Sequence, residues 1–258
     1  MEPTSRFAEI MAGPEASVPL DEAALLVAAA VRPGLDMAAE RARLDELGAA
    51  VRAPTLDALR KCLFVELGFA GDGDDYYDPR NSCLDQVVER RLGIPITLSV
   101  LTLEVGRRVG VPLAGVSMPG HFLVRDEVDP EVFVDPFAGG AVLDAAGCEA
   151  RFRALHGPGA AFDPGFLRPV GARSIVARML ANLDAVATAR GDRPLLERVV
   201  RMRTLVPGAP APLRRRLAEV LASSCRFGEA ADVLDRLAAA DTGVDDALAA
   251  RRLRARLN

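Results

Sequence analysis

Apolar residues recur along this chain with two different periods, and each period predicts a type of element. Apolar side chains three or four residues apart predict amphipathic helices, whereas alternation at every second residue predicts strands. The segments with the helical period are 20–31, 36–51, 55–67, 82–92, 96–109, 145–155 and much of the chain beyond 174. The segments that read as strands are 111–118, 121–125, 131–135 and 141–143. Helices therefore flank a short run of antiparallel strands.

The last two predicted helices before the strands, 82–92 and 96–109, differ in their apolar pattern. Ser82 with Asp85 three residues later forms a capping-box pattern, which predicts that the first helix starts at Ser82. Gly93-Ile-Pro95 ends it, and Pro95 suits the first turn of the next helix because its missing N–H is not needed there. That helix, 96–109, is apolar around most of its surface, which predicts a position in the middle of a domain.

The composition argues against several classes of partner and location. The chain has one Lys against 31 Arg and a net charge of −4, which argues against general affinity for nucleic acid. The charge is uneven, since residues 192–258 carry 13 Arg and 9 Asp or Glu. No apolar run reaches the ~18–20 residues of a membrane span. The first residues lack the pattern of a secretory signal, and the four cysteines are dispersed, so we expect a cytoplasmic chain with free thiols.

Histidine and cysteine are too scarce for the common metal sites. The two histidines, His121 and His156, lie 35 residues apart, and no two cysteines have the CxxC spacing. The acidic loop 71–75 lacks the spaced ligands of a calcium loop and is predicted to be a solvated turn. We therefore expect no metal and no cofactor. His156 lies at a predicted helix end, where we expect it to meet the last carbonyls, and Tyr76 and Tyr77 are predicted to pack.

One histidine is predicted to meet a carboxylate. If Arg125 faces Glu131 across the hairpin, antiparallel pairing places His121 directly opposite Asp135. A carboxylate at that position accepts the imidazole N–H, selects its tautomer and raises its basicity. A catalytic pair and a structural pair are equally compatible with this pattern.

Four segments resemble the bacterial SirB transglutaminase-like family: Asn81–Gln86, Arg91–Leu98, Met118–Arg125 and Phe133–Gly140. The resemblance implies an α+β fold in which a papain- or transglutaminase-like core carries a central buried helix on a small antiparallel sheet. It implies N-terminal helices together with this core over 1–170. It also implies an all-helical, tetratricopeptide-like region over 171–258, where the hairpin 213–224 and 229–239 carries alanines at its crossing points. His121 and Asp135 would take the His and Asp positions of the transglutaminase triad.

The chain departs from that triad at the nucleophile. Active transglutaminases place a Cys at the start of the central helix, where this chain has Thr97 or a neighbour such as Ser99. A hydroxyl is a far weaker nucleophile than a thiolate at neutral pH. Cys83 is the nearest thiol in the sequence, but it lies in the preceding helix.

Two hypotheses follow for the function. The first is a non-catalytic binding or regulatory protein, with a protein or peptide partner bound through the cleft or the helical tail. The second is an amide or ester hydrolase or an acyltransferase that uses His121 and Asp135, with Cys83, Thr97, Ser99 or water as the nucleophile. The oligomeric state and the identity of the partner are open at this point.

Overall fold

The computed structural model describes residues 3–241 and 244–256, which group into two compact units. The core unit comprises residues 14–179, and the helical unit comprises the described residues of 3–13, 180–241 and 244–256. The division into domains 1–170 and 171–258 stays a prediction, because compactness alone does not show which segments fold independently.

The core unit combines helices with a small sheet. Its helices are α2 (Leu20–Val31), α3 (Met37–Ala50), α4 (Leu56–Arg60), α5 (Leu84–Arg90), α6 (Pro95–Val109), α7 (Ala145–His156) and the start of α8 (Ala172–Arg190). Its strands are β1 (Ala70–Gly71), β2 (Leu92–Gly93), β3 (Leu113–Val116), β4 (Leu123–Asp126), β5 (Phe133–Asp135), β6 (Ala141–Leu143) and β7 (Pro169–Val170). Five strands form one antiparallel sheet in the order β6-β5-β4-β3-β7, and β1 pairs with β2 in parallel. The predicted α+β class is confirmed.

Helix α6 is the central helix that its apolar surface predicts. Every residue from Pro95 to Gly106 is buried, and the helix ends at Gly110, which adopts the left-handed conformation. Gly106 lets β3 approach closely, because a Cβ there would lie 2.8 Å from Leu113 Cδ1. Side chains therefore cover this helix on all sides over its first three turns.

The two faces of the sheet pack against different helices. Leu113 reaches α6, and the strand register places it on the same face as Val124. Leu123 and Phe133 lie on the opposite face, in an apolar cluster with Cys148 and Phe152 of α7. The sheet is thus enclosed by α6 on one side and α7 on the other.

The predicted register of the β4–β5 hairpin is wrong. Arg125 pairs with Phe133, not with Glu131, because the connection covers residues 127–131 instead of 126–130. Arg125 donates to the carbonyl of Pro130 and lies over the Phe133 ring, contacts that replace the expected ion pair. Each residue faces a partner two positions further along, and a shift of two leaves every side chain on its predicted face.

Two predicted helix boundaries are also wrong. Ser82 ends a short 3₁₀ turn, Cys83 stands at the N-cap position of α5, and the predicted capping box is not formed. Helix α5 ends at Arg90 because the residues that follow, Leu92–Gly93, form strand β2, which pairs with β1. In the segment predicted as one helix over 55–67, the chain widens after α4 into a π-helix, Lys61–Glu66.

The helical unit is built from consecutive helices that pack on one another around an apolar core. Its helices are α1 (Pro3–Ala12), the larger part of α8, α9 (Arg193–Leu205), α10 (Ala211–Ser223), α11 (Phe227–Asp241) and α12 (Val244–Arg254). Ala218 and Ala230 are buried in its core and Ala222 packs against it, while their place at the helix crossing points stays a prediction. The buried carboxylate of Asp184 on α8 pairs with Arg203 of α9 and with Arg216 of α10.

Candidate functional site

His121 and Asp135 meet where β4 begins and β5 ends. His121 Nε2 lies 2.9 Å from Asp135 Oδ1, with the His side chain 5% exposed and the Asp side chain fully buried. The imidazole nitrogen is not aligned for a hydrogen bond to this oxygen, so the two groups are in close contact without a well-formed hydrogen bond. Continued beyond the strand ends, the observed register makes the two residues diagonal neighbours, a separation that long side chains can bridge.

A third side chain, Arg151 of α7, shares the carboxylate. Arg151 Nη2 lies 3.1 Å from Asp135 Oδ2, and the backbone N–H of Ala138 donates to Asp135 Oδ1 at 3.1 Å. The guanidinium compensates the buried negative charge whatever the protonation state of His121, because Arg stays protonated. Asp135 therefore serves both the histidine and helix α7.

The second histidine supports the turn that precedes the first. His156 Nε2 lies 3.0 Å from the carbonyl oxygen of Pro119, not against the last carbonyls of its own helix as expected. Gly120 has φ of +73°, and a Cβ there would lie 2.9 Å from His156 Nε2. Only glycine combines this backbone conformation with so close an approach. His156 thus positions the segment that carries His121.

Arg178 of α8 supports the same segment from another direction. It donates to Ser117 Oγ at 2.9 Å and to the carbonyls of Met118 at 3.2 Å and His121 at 3.4 Å. Burial of its guanidinium lowers the pKa of Arg178, although the nearby Tyr76 opposes this effect. The backbone before β4 is therefore held by side chains from α7 and α8.

A row of aromatic rings leads from His121 to the surface. The His121 ring meets Phe137 edge-on at 6.2 Å between centroids, Phe137 meets Tyr76 at 6.1 Å, and Tyr76 meets Tyr77 at 5.3 Å. Exposure rises to 37% at Tyr76 and 65% at Tyr77, so the outer part of the row is not packed as predicted. Burial still raises the pKa of Tyr76.

Phe137 also contacts the strand pair next to the central helix. A Cβ on Gly71 of β1 would lie 2.5 Å from the Phe137 ring, so the absence of a side chain admits the ring. Strand β1 pairs with β2, and β2 immediately precedes α6. Phe137 therefore touches both the His121 ring and the strands that lead into α6.

Thr97, at the start of α6, forms hydrogen bonds to backbone groups. Its hydroxyl donates to the carbonyl of Asn81 at 2.6 Å and accepts the N–H of Ile94 at 3.2 Å, and the side chain is fully buried. These contacts close the first turn of α6 and bind it to the segment before α5. The hydroxyl predicted as a weak nucleophile therefore has a helix-capping role.

The other candidate nucleophiles are also buried and bonded to the backbone. Cys83 is fully buried, its thiol lies 3.3 Å from the carbonyl of Pro79, and burial raises its pKa well above the ordinary thiol range. Ser99 Oγ lies 3.4 Å from the carbonyl of Phe122. Among the described residues, no hydrogen bond joins the His121 ring to a thiol or a hydroxyl.

A buried polar network fixes the loop that carries the tyrosines. Asp72 is buried, in contrast to the predicted solvated turn, and it accepts from Asn81 at 3.0 Å and from Arg90 at 3.2 Å. The backbone N–H of Asp75 also donates to Asp72, and this bond is the chief cause of its lowered pKa. Asp72 therefore holds the loop together from inside, whereas Asp74 and Asp75 are exposed, as expected of a solvated turn.

Within residues 3–241 and 244–256, no three His, Cys, Asp or Glu side chains are grouped as metal ligands. No helix in the same part of the chain is long and apolar enough to cross a membrane.

Sequence reasoning found two members of this site and missed its supporting residues. It paired His121 with Asp135 but did not indicate Arg151, Arg178 or Phe137. Arg151 and Arg178 lie on helices distant in sequence, and a chain with 31 Arg offers no local signal for two of them. Phe137 lies within a segment used for the family resemblance, which was the only available signal.

Comparisons with known proteins give a family but no solved structure. Residues 28–181 match the model of the transglutaminase-like superfamily. A UPF0162 protein of Xylella fastidiosa (strain Temecula1) is 48% identical over 167 residues, which cover 62% of this chain and 58% of that protein. A UPF0162 protein of Pseudomonas aeruginosa is 33% identical over 67% of this chain and 66% of that protein. Human F-box only protein 21 is 31% identical over 55% of this chain and 23% of that protein.

No solved structure gives a significant match. The chain spans 58% of the length of the Xylella protein. The family model covers more than half of the present chain and includes α6, the sheet, His121 and Asp135. The chain therefore belongs to the transglutaminase-like superfamily.

Proposed function

We propose that this chain is a non-catalytic binding or regulatory protein built on a transglutaminase-like core. The observation that carries the proposal is the state of Thr97, whose fully buried hydroxyl is bonded to two backbone groups at the start of α6. Covalent catalysis by this fold requires a nucleophile at that position, and a capping hydroxyl is not available for attack. The SirB relationship and the tetratricopeptide-like character of the C-terminal helices belong to this proposal, as does a cytoplasmic location.

The aromatic row is the proposed contact surface of the core unit. Partly exposed tyrosines supply large, rigid contact area at a small entropic cost and are enriched at protein interfaces. Tyr77 is 65% exposed, and Tyr76 lies behind it with edge-on contacts to Tyr77 and to Phe137. In this proposal the partner is a protein segment that packs on these rings, and His121 and Asp135 stabilise the surface beneath them.

The first experiment tests for residual catalysis. The full chain is incubated with p-nitrophenyl acetate, with a glutamine peptide plus hydroxylamine, and separately with iodoacetamide at neutral pH. We expect equal ester hydrolysis by the wild type and His121→Ala, no hydroxamate, and alkylation mainly at Cys225, the exposed thiol. Turnover that His121→Ala abolishes, or preferential alkylation of Cys83, would establish the hydrolase or acyltransferase alternative instead.

The second experiment tests binding. A random peptide library displayed on phage is panned against the full chain, and enriched peptides are measured against variants. We expect Tyr77→Ala to weaken the enriched peptides about tenfold, or ~1.4 kcal/mol, while an exposed control, Val128→Ala, leaves binding unchanged. Failure to enrich any peptide that depends on Tyr77 would overturn the proposed surface.

A further inference from the structure

The helical unit contains a cleft of about 920 Å³, formed by α1 together with residues 197–237. This volume is at the upper end of the range for ligand clefts, about 300–1,000 Å³. All lining residues of the cleft belong to the helical unit, so the cleft shares no residue with the His121 site.

Positive charge dominates the lining of the cleft. Five arginines line it: Arg198, Arg201, Arg214, Arg226 and Arg236. The only carboxylate among the described lining residues is Glu197. The lining therefore carries a formal charge of +4, five guanidiniums less one carboxylate, within a chain whose net charge is −4.

The neighbouring carboxylates neutralise only part of this charge. Glu197 pairs with Arg201 and Arg226, and Glu229 pairs with the same two arginines. Arg236 donates to a backbone carbonyl, that of Asp232. No ion pair or hydrogen bond is formed by the Arg214 guanidinium with any part of the chain that the structure describes. The two carboxylates thus pair with the same two arginines, and the charge of the Arg214 guanidinium remains available to a ligand.

The rest of the lining favours a peptide over a polynucleotide. Apolar side chains such as Leu205, Leu217 and Leu237 alternate with hydroxyls such as Thr4 and Thr204. No aromatic side chain lines the described cleft, so there is no platform on which bases would stack.

We propose that this cleft binds an acidic peptide segment of a partner protein. Glu or Asp carboxylates of the peptide would accept bidentate hydrogen bonds from the guanidiniums, and its apolar side chains would lie on the leucines. The inference deepens the proposed binding role by naming a ligand class for the helical unit. It concerns residues that the test of the aromatic row does not touch.

The test is fluorescence anisotropy with the full chain. The probe is a short fluorescein-labelled peptide rich in Glu with interspersed Leu. The comparison ligands are the same peptide with Gln in place of Glu and a single-stranded RNA of equal charge. We expect the Glu peptide to bind, the Gln peptide to bind at least about tenfold more weakly, and affinity for the Glu peptide to fall with added salt.

Matched variants locate the site. Arg214→Glu is expected to weaken the Glu peptide at least about tenfold, ~1.4 kcal/mol, because it reverses a lining charge. Arg252→Glu makes the same charge change at an exposed position of α12 outside the cleft, and we expect less than about a twofold effect. Arg236→Ala gives a second lining variant, and circular dichroism verifies that each variant is folded.

Three results would overturn the proposal. They are no binding of the Glu peptide, equal losses in Arg214→Glu and Arg252→Glu, and tighter binding of RNA than of the Glu peptide. The proposed function of the core unit is tested separately by Tyr77→Ala. If one of the two proposals fails its test, the test of the other proposal is unaffected.

Discussion

At the scale of single residues, Asp135 joins three parts of the site. Its two oxygens meet His121, Arg151 and the N–H of Ala138, and none of its surface is exposed. A buried carboxylate needs opposite charge close by, and the Arg151 guanidinium supplies it here by an ion pair without a well-formed hydrogen bond to Oδ2. The same residue therefore has a structural role that does not depend on catalysis, and the sequence pattern alone did not separate the two roles.

Replacement of Asp135 by Asn is predicted to destabilise the core unit. The amide keeps the shape but removes the charge that faces Arg151, so we expect a loss of about 1–3 kcal/mol in the free energy of unfolding. Urea denaturation gives the measurement. Glu127→Gln makes the same chemical change on the exposed hairpin connection, and there we expect a change within about 0.5 kcal/mol. Equal stabilities of the two variants would contradict the assigned role.

At the scale of elements, the start of α6 depends on a side chain from within the helix. Ile94 precedes the helix and cannot cap it through its side chain, so Thr97 accepts the N–H of Ile94 instead. The same hydroxyl donates to Asn81, which joins α6 to the segment before α5. A position that resembles a catalytic one is thus occupied by a structural hydrogen bond.

Replacement of Thr97 by Val tests this assignment. The change keeps the volume but leaves the Ile94 N–H and the Asn81 carbonyl without their partner, so we expect a loss of about 1–2 kcal/mol. Thr102→Val is the matched control on the same helix. Thr102 is equally buried, but its hydroxyl only donates to the carbonyl of Leu98, one turn earlier in α6. We expect a smaller loss there, and chemical denaturation of both variants would show the reverse order if the assignment is wrong.

A second element-scale prediction concerns the contact of β1 with Phe137. Gly71→Ala would place a Cβ 2.5 Å from the Phe137 ring and 2.6 Å from the Phe137 carbonyl oxygen, so the loop has to move. We expect a loss of about 1–3 kcal/mol from this overpacking. Gly73→Ala, two residues away, meets no atom within 4 Å and is expected to leave the thermal midpoint nearly unchanged. Similar midpoints for the two variants would show that the ring is not held against Gly71.

At the scale of the whole molecule, buried carboxylates bind elements that are distant in sequence. Asp21 of α2 accepts from Arg108 of α6 at 2.8 Å, and Asp72 and Asp78 hold the loop before α5. Burial raises the pKa of Asp21, but hydrogen bonds from Arg108 and from the N–H of Glu22 outweigh it, so the pKa is lowered overall. The pKa values of Asp72 and Asp78 are lowered as well.

These lowered pKa values predict loss of stability in acid. Each carboxylate stabilises the fold above its unfolded pKa, near the ordinary 3.8, and that contribution disappears as the pH falls towards the lower folded value. We therefore expect the urea midpoint to be steady at neutral pH and to decline below about pH 4. The difference between the wild type and Asp21→Asn should shrink over the same range. A difference that stays constant would show that Asp21 is not ionised in its folded contacts.

The sequence by itself determined the α+β class, the buried central helix and the shared face of His121 and Asp135. These features depend on local periodicity, which survives even a register error, because a shift of two residues keeps each side chain on its face. The tertiary structure alone decided the hairpin register, the capping role of Thr97, the sharing of Asp135 with Arg151 and the arginine-lined cleft. Each of these depends on contacts between segments far apart in the chain, and the hydrophobic pattern does not encode which of many arginines meets which carboxylate.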